Sequence, residues 1–528
     1  MLILLVLCTV APIIFSLNVL VWNPIISHSH VRFLGNIADV LHDSGHNVTI
    51  ISPIVDPRVD MIGHKYAISQ ISYESKYMDQ AEDYSKMGIK TSSFWESPVE
   101  QGFSLSRSDF EGFVKNTQNM YRGLAEDKDF LARLRDYKFD IAVHEIYDPY
   151  QVGVFELIGV KKTVAVSAIG ITPYVREVTG VPTNPSYIPG SYTTYGDEMS
   201  FWERLDNFKL EIELSYRSYI WERKVWSYFN AVYPGFPDFK ELLKQKVGVV
   251  LLNVNEFIES PRPTANIVRY IAGISIPEPK PLDKELSALL DKRSSNVLFS
   301  FGTFTQAKNM PLWLKKDIVE AFASFPNTTF IWKYEDESET EVFGAHPNIH
   351  RMKWLPQKDL LADKRLSLFI THAGMNSIIE ATFAGKPMVA IPLFGDQFLN
   401  AKNLRRRGLA IMIERNKLTK DTLAAAIREV LSPESSYAHK AAVVARQLHG
   451  RAAAAREELS RWVNLVAEEG QMDHLLLRAR DLSFIQYHCL DIIAFLLAQF
   501  VMALCLIFFT AKVLLRRIAR LFTKRKIE

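Results

Sequence analysis

Cysteine is nearly absent from this 528-residue chain: Cys8, Cys489 and Cys505 are the three, and all lie in or beside its two apolar ends. A disulfide-stapled class is thereby excluded, because the body between the ends holds no pair to join, and a body of this size can rest on its core. Excess charge of one sign is missing too. Lysine and arginine number 62 against 59 acidic residues, a formal net charge of +3, too small to argue for a nucleic-acid partner. No G-x-G-x-x-G turn follows any predicted strand, which speaks against a dinucleotide-dependent dehydrogenase. The one literal Asp-X-Asp, Asp127-Lys128-Asp129, sits in a polar helical stretch with no strand end before it. It reads as a solvated face, and no metal site is expected.

What is present is an ordinary globular composition, 48% hydrophobic and 23% charged, in a chain long enough for two cores. The apolar ends differ in length. Residues 1–17 have the size of a secretory signal and end in small or polar residues, without the usual positive leader; a buried first strand is the alternative, although residues 19–22 already supply one. Residues 490–511 reach the roughly 20 residues needed to span a bilayer, with Gln499 as the interior polar group. Lys512, Arg516, Arg517, Arg520, Lys524, Arg525 and Lys526 follow directly, so the positive-inside rule places the tail, 512–528, in the cytosol and the body in the lumen. Lys524 and Lys526 either form a dilysine retrieval signal or complete the basic flank; on the first reading the location is the endoplasmic reticulum membrane, single-pass. Sequons at Asn47 and Asn327 have lumen access, and neither is a firm glycosylation site.

Between the ends, short apolar runs alternate with helical patterns, the mark of α/β domains with parallel sheets. Strands are expected at residues 17–22, 48–52, 141–143, 163–167 and 249–253, then at 297–301, 329–332, 368–371 and 388–392. The Pro-rich GISIPEPKPL between the two series makes a linker. Two doubly wound domains result, 18–274 and 284–450, joined by 275–283 and followed by helices, 451–489, leading to the membrane. Residues 172–196, rich in Pro, Gly and Tyr, are expected as a long ordered loop over the cleft or near the membrane.

The densest chemistry lies in residues 354–397, WLPQKDLLADKRLSLFITHAGMNSIIEATFAGKPMVAIPLFGDQ. His372 to Ser377 occupy a strand-to-helix turn at the carboxyl end of a strand, where open α/β sheets bind ligands. Helix-starting N–H groups there suit phosphate oxygens, Gly374 admits close backbone approach, and His372, Asn376 and Ser377 can add donors. Each has an ordinary reading as well, Asn and Ser as helix-start residues and His as a satisfied polar group. Trp354 is either a face for a base, a contact of about 1–3 kcal/mol, or a core aromatic. Gln357 can read a base edge. Glu380, one turn past Ser377, suits two ribose hydroxyls.

As one ordered string this segment resembles the signature of the UDP-glycosyltransferases, the animal membrane-bound group that includes the UDP-glucuronosyltransferases. The resemblance extends upstream to LFSFGTFTQAKNMP and NEFIESPRPTANIVRYIAGI and downstream to HLLLRARDLSFIQYHCLDI, so it covers essentially the whole chain. It implies two Rossmann-like domains facing across a cleft, the GT-B arrangement. It also implies that Trp354 stacks on uracil, Gln357 contacts the uridine, Glu380 binds the ribose, and His372, Asn376 and Ser377 hold the diphosphate, with Gly302 and Thr303 giving a second diphosphate contact. Asp396 and Gln397 bind the sugar hydroxyls. Thr303 replaces the usual Ser, and Asp363-Lys364 replaces the usual His-Pro.

Transfer to a hydroxyl calls for a general base. After the first strand, NPIISHSHVRFLGNIADVLHDSGHNVTI offers His28 and His30 near a helix start; His42 and His46 fit helix-end roles. The family base is a His at the start of this helix. Counting back from Gly45-His46 selects His30, the favoured base, and counting forward from Leu20-Val21-Trp22 selects His28. The partner carboxylate implied by the family is usually Asp; Glu145 stands there, with Asp148 as a substitute and His144 structural. The expected function is inverting transfer of a hexosyl group from UDP-glucuronate or UDP-glucose to a hydroxyl or carboxyl of a small lipophilic acceptor, with no metal or other cofactor. A UDP-sugar-binding membrane protein without catalysis is the alternative. Neither donor sugar nor self- or mixed association is fixed.

Overall fold

The computed structural model describes residues 16–78, 95, 107–276, 278–344 and 346–524. Most of the expected signal segment, Cys8 and Lys526 lie outside the described residues. Leu17 already packs against the core, and β1 opens at Asn18.

Among the described residues thirteen strands form two sheets, and every pairing within them is parallel. The first holds β1 (Asn18–Trp22), β2 (Asn47–Pro53), β3 (Ser69–Tyr73), β4 (Ile141–Glu145), β5 (Thr163–Ser167), β6 (Val247–Leu252) and β7 (Val268–Tyr270), in the order β3-β2-β1-β4-β5-β6-β7. The second holds β8 (Ser295–Ser300), β9 (Thr328–Lys333), β10 (Ile349–Met352), β11 (Leu366–Thr371), β12 (Met388–Ala390) and β13 (Ala410–Met412), in the order β10-β9-β8-β11-β12-β13. Inner strands such as VLVW and IAVHE are buried on both faces, which is why VLVW and the IAV of residues 141–143 read as unbroken apolar runs. Edge strands β3, β7 and β10 are short or half-exposed and carry no such run, and β13 is only three residues long.

Each sheet reverses its winding once, between β1 and β4 in the first and between β8 and β11 in the second. The crevice outside the strand ends at such a reversal is where ligands bind in this architecture. Two aromatic cores back the sheets: Trp22, Phe33, Tyr121, Phe155, Phe229 and Phe239 in the first domain, and Phe299, Phe322, Phe330, Trp332 and Tyr334 in the second.

Three features differ from the sequence expectation. Residues 172–196 include a helix, Pro173–Thr179, ended by the left-handed Gly180. The helix Arg451–Glu469 is more than a lead to the membrane: Ala455, Leu459, Trp462, Val463 and Val466 cross back and fill the first domain's core. The last helix runs Leu490–Lys524, longer than residues 490–511. Leu490–Arg520 is long and apolar enough to cross a membrane, and its most apolar stretch is wholly unburied.

The domains also touch through the loop after β6. Ile258 enters the second domain's core, Ser260 donates to Asn403 at 2.5 Å, and Arg407 donates to the Phe257 carbonyl at 2.6 Å.

Candidate active site

β1 feeds the helix His28–Asp43, whose apolar face (Val31, Phe33, Leu34, Ile37, Ala38 and Leu41) is buried against the sheet. That packing fixes its first turn over the carboxyl edge. His30 Nδ1 lies 2.6 Å from Glu145 Oε2, and Glu145 is the last residue of β4. The two ends of the winding reversal thus meet in one contact.

A carboxylate oxygen only accepts, so Nδ1 carries the proton and Nε2 is the basic nitrogen. Glu145 is itself held: Oε1 accepts from the Ala168 backbone N–H at 2.9 Å, and its side chain is 2% exposed against 25% for His30. Burial opposes protonation of His30, but the charge and hydrogen bond of Glu145, helped by Asp396, outweigh it and raise the pKa above the ordinary histidine value.

His28 does not reach Glu145. Its Nδ1 is buried without a partner, and burial together with Arg32 lowers its pKa despite the pull of Asp56 and Asp60. Asp148 caps its own turn by accepting from Tyr150 N at 2.9 Å, and burial pushes its pKa up to about 7. His144 accepts at Nδ1 from Gln151 at 2.8 Å and shares a hydrogen bond with Thr163 at 3.2 Å; burial drives its pKa to about 3. It is a core histidine.

In the second domain, β8 leads into the turn carrying Gly302 and Thr303, and His372 follows β11 directly. The His372 ring is wedged between two glycines: a Cβ on Gly302 would stand 2.8 Å from its Cε1, and one on Gly374 would stand 2.5 Å from its Nε2. Burial drives the His372 pKa to about 4, so the ring is neutral at physiological pH, and its Nδ1 is buried without a partner. Gly302 is left-handed at φ 76°, as is Ala373 at φ 62°, whereas Gly374 has an ordinary φ of −64° as the cap of the helix Met375–Phe383. Gly374 is therefore required by the approach of His372. The rare backbone falls one residue earlier, on a non-glycine the sequence did not mark, where Asn400 Nδ2 holds the Ala373 carbonyl at 3.0 Å.

Trp354 is 63% exposed, which rules out the core reading and leaves an indole face open. Gln357 Nε2 donates to Glu380 Oε2 at 2.7 Å and to Ser377 Oγ at 3.3 Å. Burial raises the Glu380 pKa against the pull of Lys358, Gln357 and Arg32. Thr303 is exposed at its turn. Asn376 accepts from Asn253 Nδ2 at 3.1 Å across the domain boundary. Asn253 follows β6 directly and was likewise unmarked.

Asp396 Oδ2 accepts from Asn400 at 2.7 Å, and burial raises its pKa although Asn400 and His30 pull it down. Gln397 Oε1 accepts from the Leu393 and Phe394 N–H groups at 2.9 and 3.2 Å, which fixes the orientation of its amide. His30 and Asp396 influence each other electrostatically, so the two domains' site residues converge on one cleft.

Among the described residues there is no group of three or more His, Cys, Asp and Glu side chains placed to hold a metal ion. Asp127 of the Asp-X-Asp string caps the helix Lys128–Asp136 by accepting from Phe130 N at 2.9 Å.

An open indole at the cleft rim makes a direct test. Trp354→Ala is expected to weaken donor-nucleotide binding by about 1–3 kcal/mol without lowering the melting temperature, because the side chain packs in neither core; titration calorimetry with UDP beside a thermal melt checks both.

Residues 18–527 match the family described as UDP-glucoronosyl and UDP-glucosyl transferase. A putative UDP-glucuronosyltransferase of Caenorhabditis elegans, ugt-50, is 30% identical over 494 residues, 92% of each chain. UDP-glucuronosyltransferase 2B7 of Homo sapiens is 26% identical over 488 residues, 91% of this chain and 90% of its own. Among solved structures, the glycotransferase of kitacinnamycin superposes with a TM-score of 0.58 at 17% identity, over 85% of this chain and 99% of the other. UDP-glucose: anthocyanidin 3-O-glucosyltransferase in complex with UDP superposes with a TM-score of 0.55 at 14% identity, over 85% and 99%. At these identities the structural likeness shows the GT-B fold.

Proposed function

This chain belongs to the UDP-glucoronosyl and UDP-glucosyl transferase family and is a glycosyltransferase that draws sugar from a UDP-sugar, and from that premise we propose that His30 is its general base, oriented by Glu145, in an inverting transfer to a small lipophilic acceptor. His30 Nε2 removes the proton from the acceptor hydroxyl or carboxyl as its oxygen attacks the anomeric carbon of an α-linked donor. The anomeric C–O bond to the diphosphate breaks, UDP leaves, and a β-glycoside results. Glu145 stabilises the imidazolium formed at His30.

On this reading the leaving diphosphate meets the N-terminus of Met375–Phe383, the turn at Gly302 and Thr303, and His372, Asn376 and Ser377. Trp354 stacks on the uracil. Glu380 takes the ribose hydroxyls, and Gln357, now bonded to Glu380, moves to the uridine as the ribose enters. Asp396 and Gln397 take the sugar hydroxyls. The transferred sugar is glucuronate or glucose. The body lies in the lumen of the endoplasmic reticulum, with the basic tail in the cytosol.

The observation carrying this reading is the 2.6 Å His30–Glu145 contact with Asp396 across the cleft. The experiment is an assay of membranes containing the expressed chain, with UDP-glucose and UDP-glucuronic acid against a panel of phenols, measuring UDP release and glycoside formation. Donor binding without turnover on any acceptor would replace the enzyme reading with that of a binding protein.

The charge of Glu145 also sets a pH dependence. A base works deprotonated, so kcat/KM rises with pH through the His30 pKa, here held above the free-histidine value of 6.5. In Glu145→Gln the raising influences of that residue go and burial, which lowers the pKa, remains. The rising limb of the kcat/KM profile is expected to move to lower pH while the plateau falls; a limb that stays in place removes Glu145 from the mechanism.

A further inference from the structure

Between Gly190 and the helix Phe201–Val232 the first domain sends out a strap that lies along a helix of the second. Its near end is fixed on the first domain. Asn207 is buried on the inner face of Phe201–Val232, whereas Phe208, Ile212, Tyr216 and Tyr219 of that helix are exposed. Asn207 accepts from Gly190 N at 2.9 Å and donates to the Pro185 and Ile188 carbonyls at 2.8 and 3.0 Å. Thr193 N then donates to the Gly190 carbonyl at 3.1 Å, closing a tight turn over residues 190–193 with Tyr192 at its third position. Beyond the turn, the Tyr195 hydroxyl donates to Asp206 at 3.2 Å.

The far end is fixed on the second domain, along the helix Gln397–Arg406. Arg406 donates to Asp197. Lys402, one turn earlier, lies over the Tyr195 ring at 5.9 Å. It packs so closely on Gly196 that a Cβ there would stand 3.1 Å from its Cδ. Asp396 stands at the start of this ten-residue helix, which rises about 15 Å. The five steps from Tyr192 to Asp197 span at most roughly 17 Å when fully extended. A strap of that reach, laid along the helix by Tyr195 and Gly196, brings Tyr192 to the first turn. The electrostatics agree. Asp396 and Glu145 both act on the Tyr192 phenol, and Tyr192 acts on Tyr147, whose ring meets His30 edge-on at 6.3 Å. Burial and the two carboxylates push the Tyr192 pKa up to about 12, so at physiological pH the phenol keeps its proton and faces acceptors.

We propose that Tyr192 is a positioning residue of the sugar site, delivered across the cleft by the strap, and that it holds the Asp396 carboxylate for the hydroxyls of the transferred sugar; this rests on the reading of Asp396 as a ligand of that sugar. Asn400 secures one oxygen of Asp396 from its own domain at 2.7 Å. A phenol from the other domain fixes the plane of the carboxylate and offsets the burial that disfavours its charge. The groups proposed for the nucleotide, Trp354, Gln357 and Glu380, lie on the second domain, so UDP binding owes nothing to the strap. The sugar end is complete only with the first domain in place.

The test is titration calorimetry on the full chain in nanodiscs with UDP, UDP-glucose and UDP-glucuronic acid. Tyr192→Phe keeps the ring and removes the hydroxyl. It is expected to weaken the tighter-binding UDP-sugar about tenfold, the scale of one hydrogen bond to a charged group, while UDP affinity and the melting temperature hold. A purely structural tyrosine would shift all three together. Asp197→Ala, which frees the far end of the strap, is expected to cost several-fold in UDP-sugar affinity by itself and nothing further in the Tyr192→Phe background. Parent UDP-sugar affinity in Tyr192→Phe overturns the proposal, as does an equal loss for UDP. The same cost of Asp197→Ala in both backgrounds overturns delivery by the strap. Asp396→Asn separates the proposal from the reading beneath it. If that variant binds UDP-sugar as the parent does, Asp396 is no sugar ligand and both fall; if it is impaired and Tyr192→Phe is not, the proposal alone falls.

Discussion

Replacing His30 by alanine is expected to cut turnover by about 10²–10⁴-fold, equivalent to about 3–5 kcal/mol on the barrier, while leaving UDP affinity unchanged. The separation follows from where the groups sit. His30 belongs to the first domain, and the groups proposed to hold the uridine and diphosphate, Trp354, His372, Asn376 and Glu380, belong to the second. Truncation of a side chain that is 25% exposed opens no core cavity. It does leave Glu145 buried with one fewer partner, although Oε1 keeps the Ala168 N–H, so a modest loss of thermal stability accompanies the kinetic one. His28→Ala is the matched control. Its imidazole makes no contact with Glu145, and turnover near the parent value is expected. Steady-state kinetics of both variants with calorimetric UDP titration decides the matter; loss in His28→Ala with His30→Ala active would reverse the assignment.

The sequence favours His30 without settling it against His28, because the counts from either end of the loop disagree by two residues. A loop length cannot say where a helix begins. Packing does: Val31, Phe33, Leu34 and Ile37 must face the sheet, and that rotation delivers His30 to the end of β4. The doubly wound architecture was legible for a simpler reason. Strands buried on both faces must be largely apolar, so VLVW, IAV, VLFS and LFIT announce themselves. The short edge strands, half-exposed, do not.

What was not legible is tertiary. Arg451–Glu469 shows an ordinary amphipathic pattern, and nothing local says that its apolar face returns to the first domain. Phe201–Val232 hid for the opposite reason: polar residues face in and aromatics face out, so its period gives no core-facing stripe. In the donor site the motif residues were legible because spacing along a strand, turn and helix is local. Asn253, Asn400 and the left-handed Ala373 were not, since each acts on the motif from elsewhere or through the backbone.

The two glycines around His372 separate clash from strain. Gly374→Ala places a methyl 2.5 Å from His372 Nε2 at a residue with ordinary φ, so its cost is overpacking, about 1–3 kcal/mol. Gly302→Ala places one 2.8 Å from Cε1 and also forces alanine into φ 76°, which adds about 1–2 kcal/mol of left-handed strain. Both variants are expected to displace the imidazole and weaken UDP binding, with Gly302→Ala the less stable of the pair. Removing the obstructing ring sharpens the distinction. In His372→Ala/Gly374→Ala the methyl has room, and the stability loss from Gly374→Ala is expected to vanish against the His372→Ala background. In His372→Ala/Gly302→Ala the clash is relieved and the backbone strain stays, so part of the loss persists. A double-mutant cycle on melting temperatures reads both couplings. Equal rescue at the two positions would mean that φ 76° costs nothing there and that both glycines serve only to admit His372.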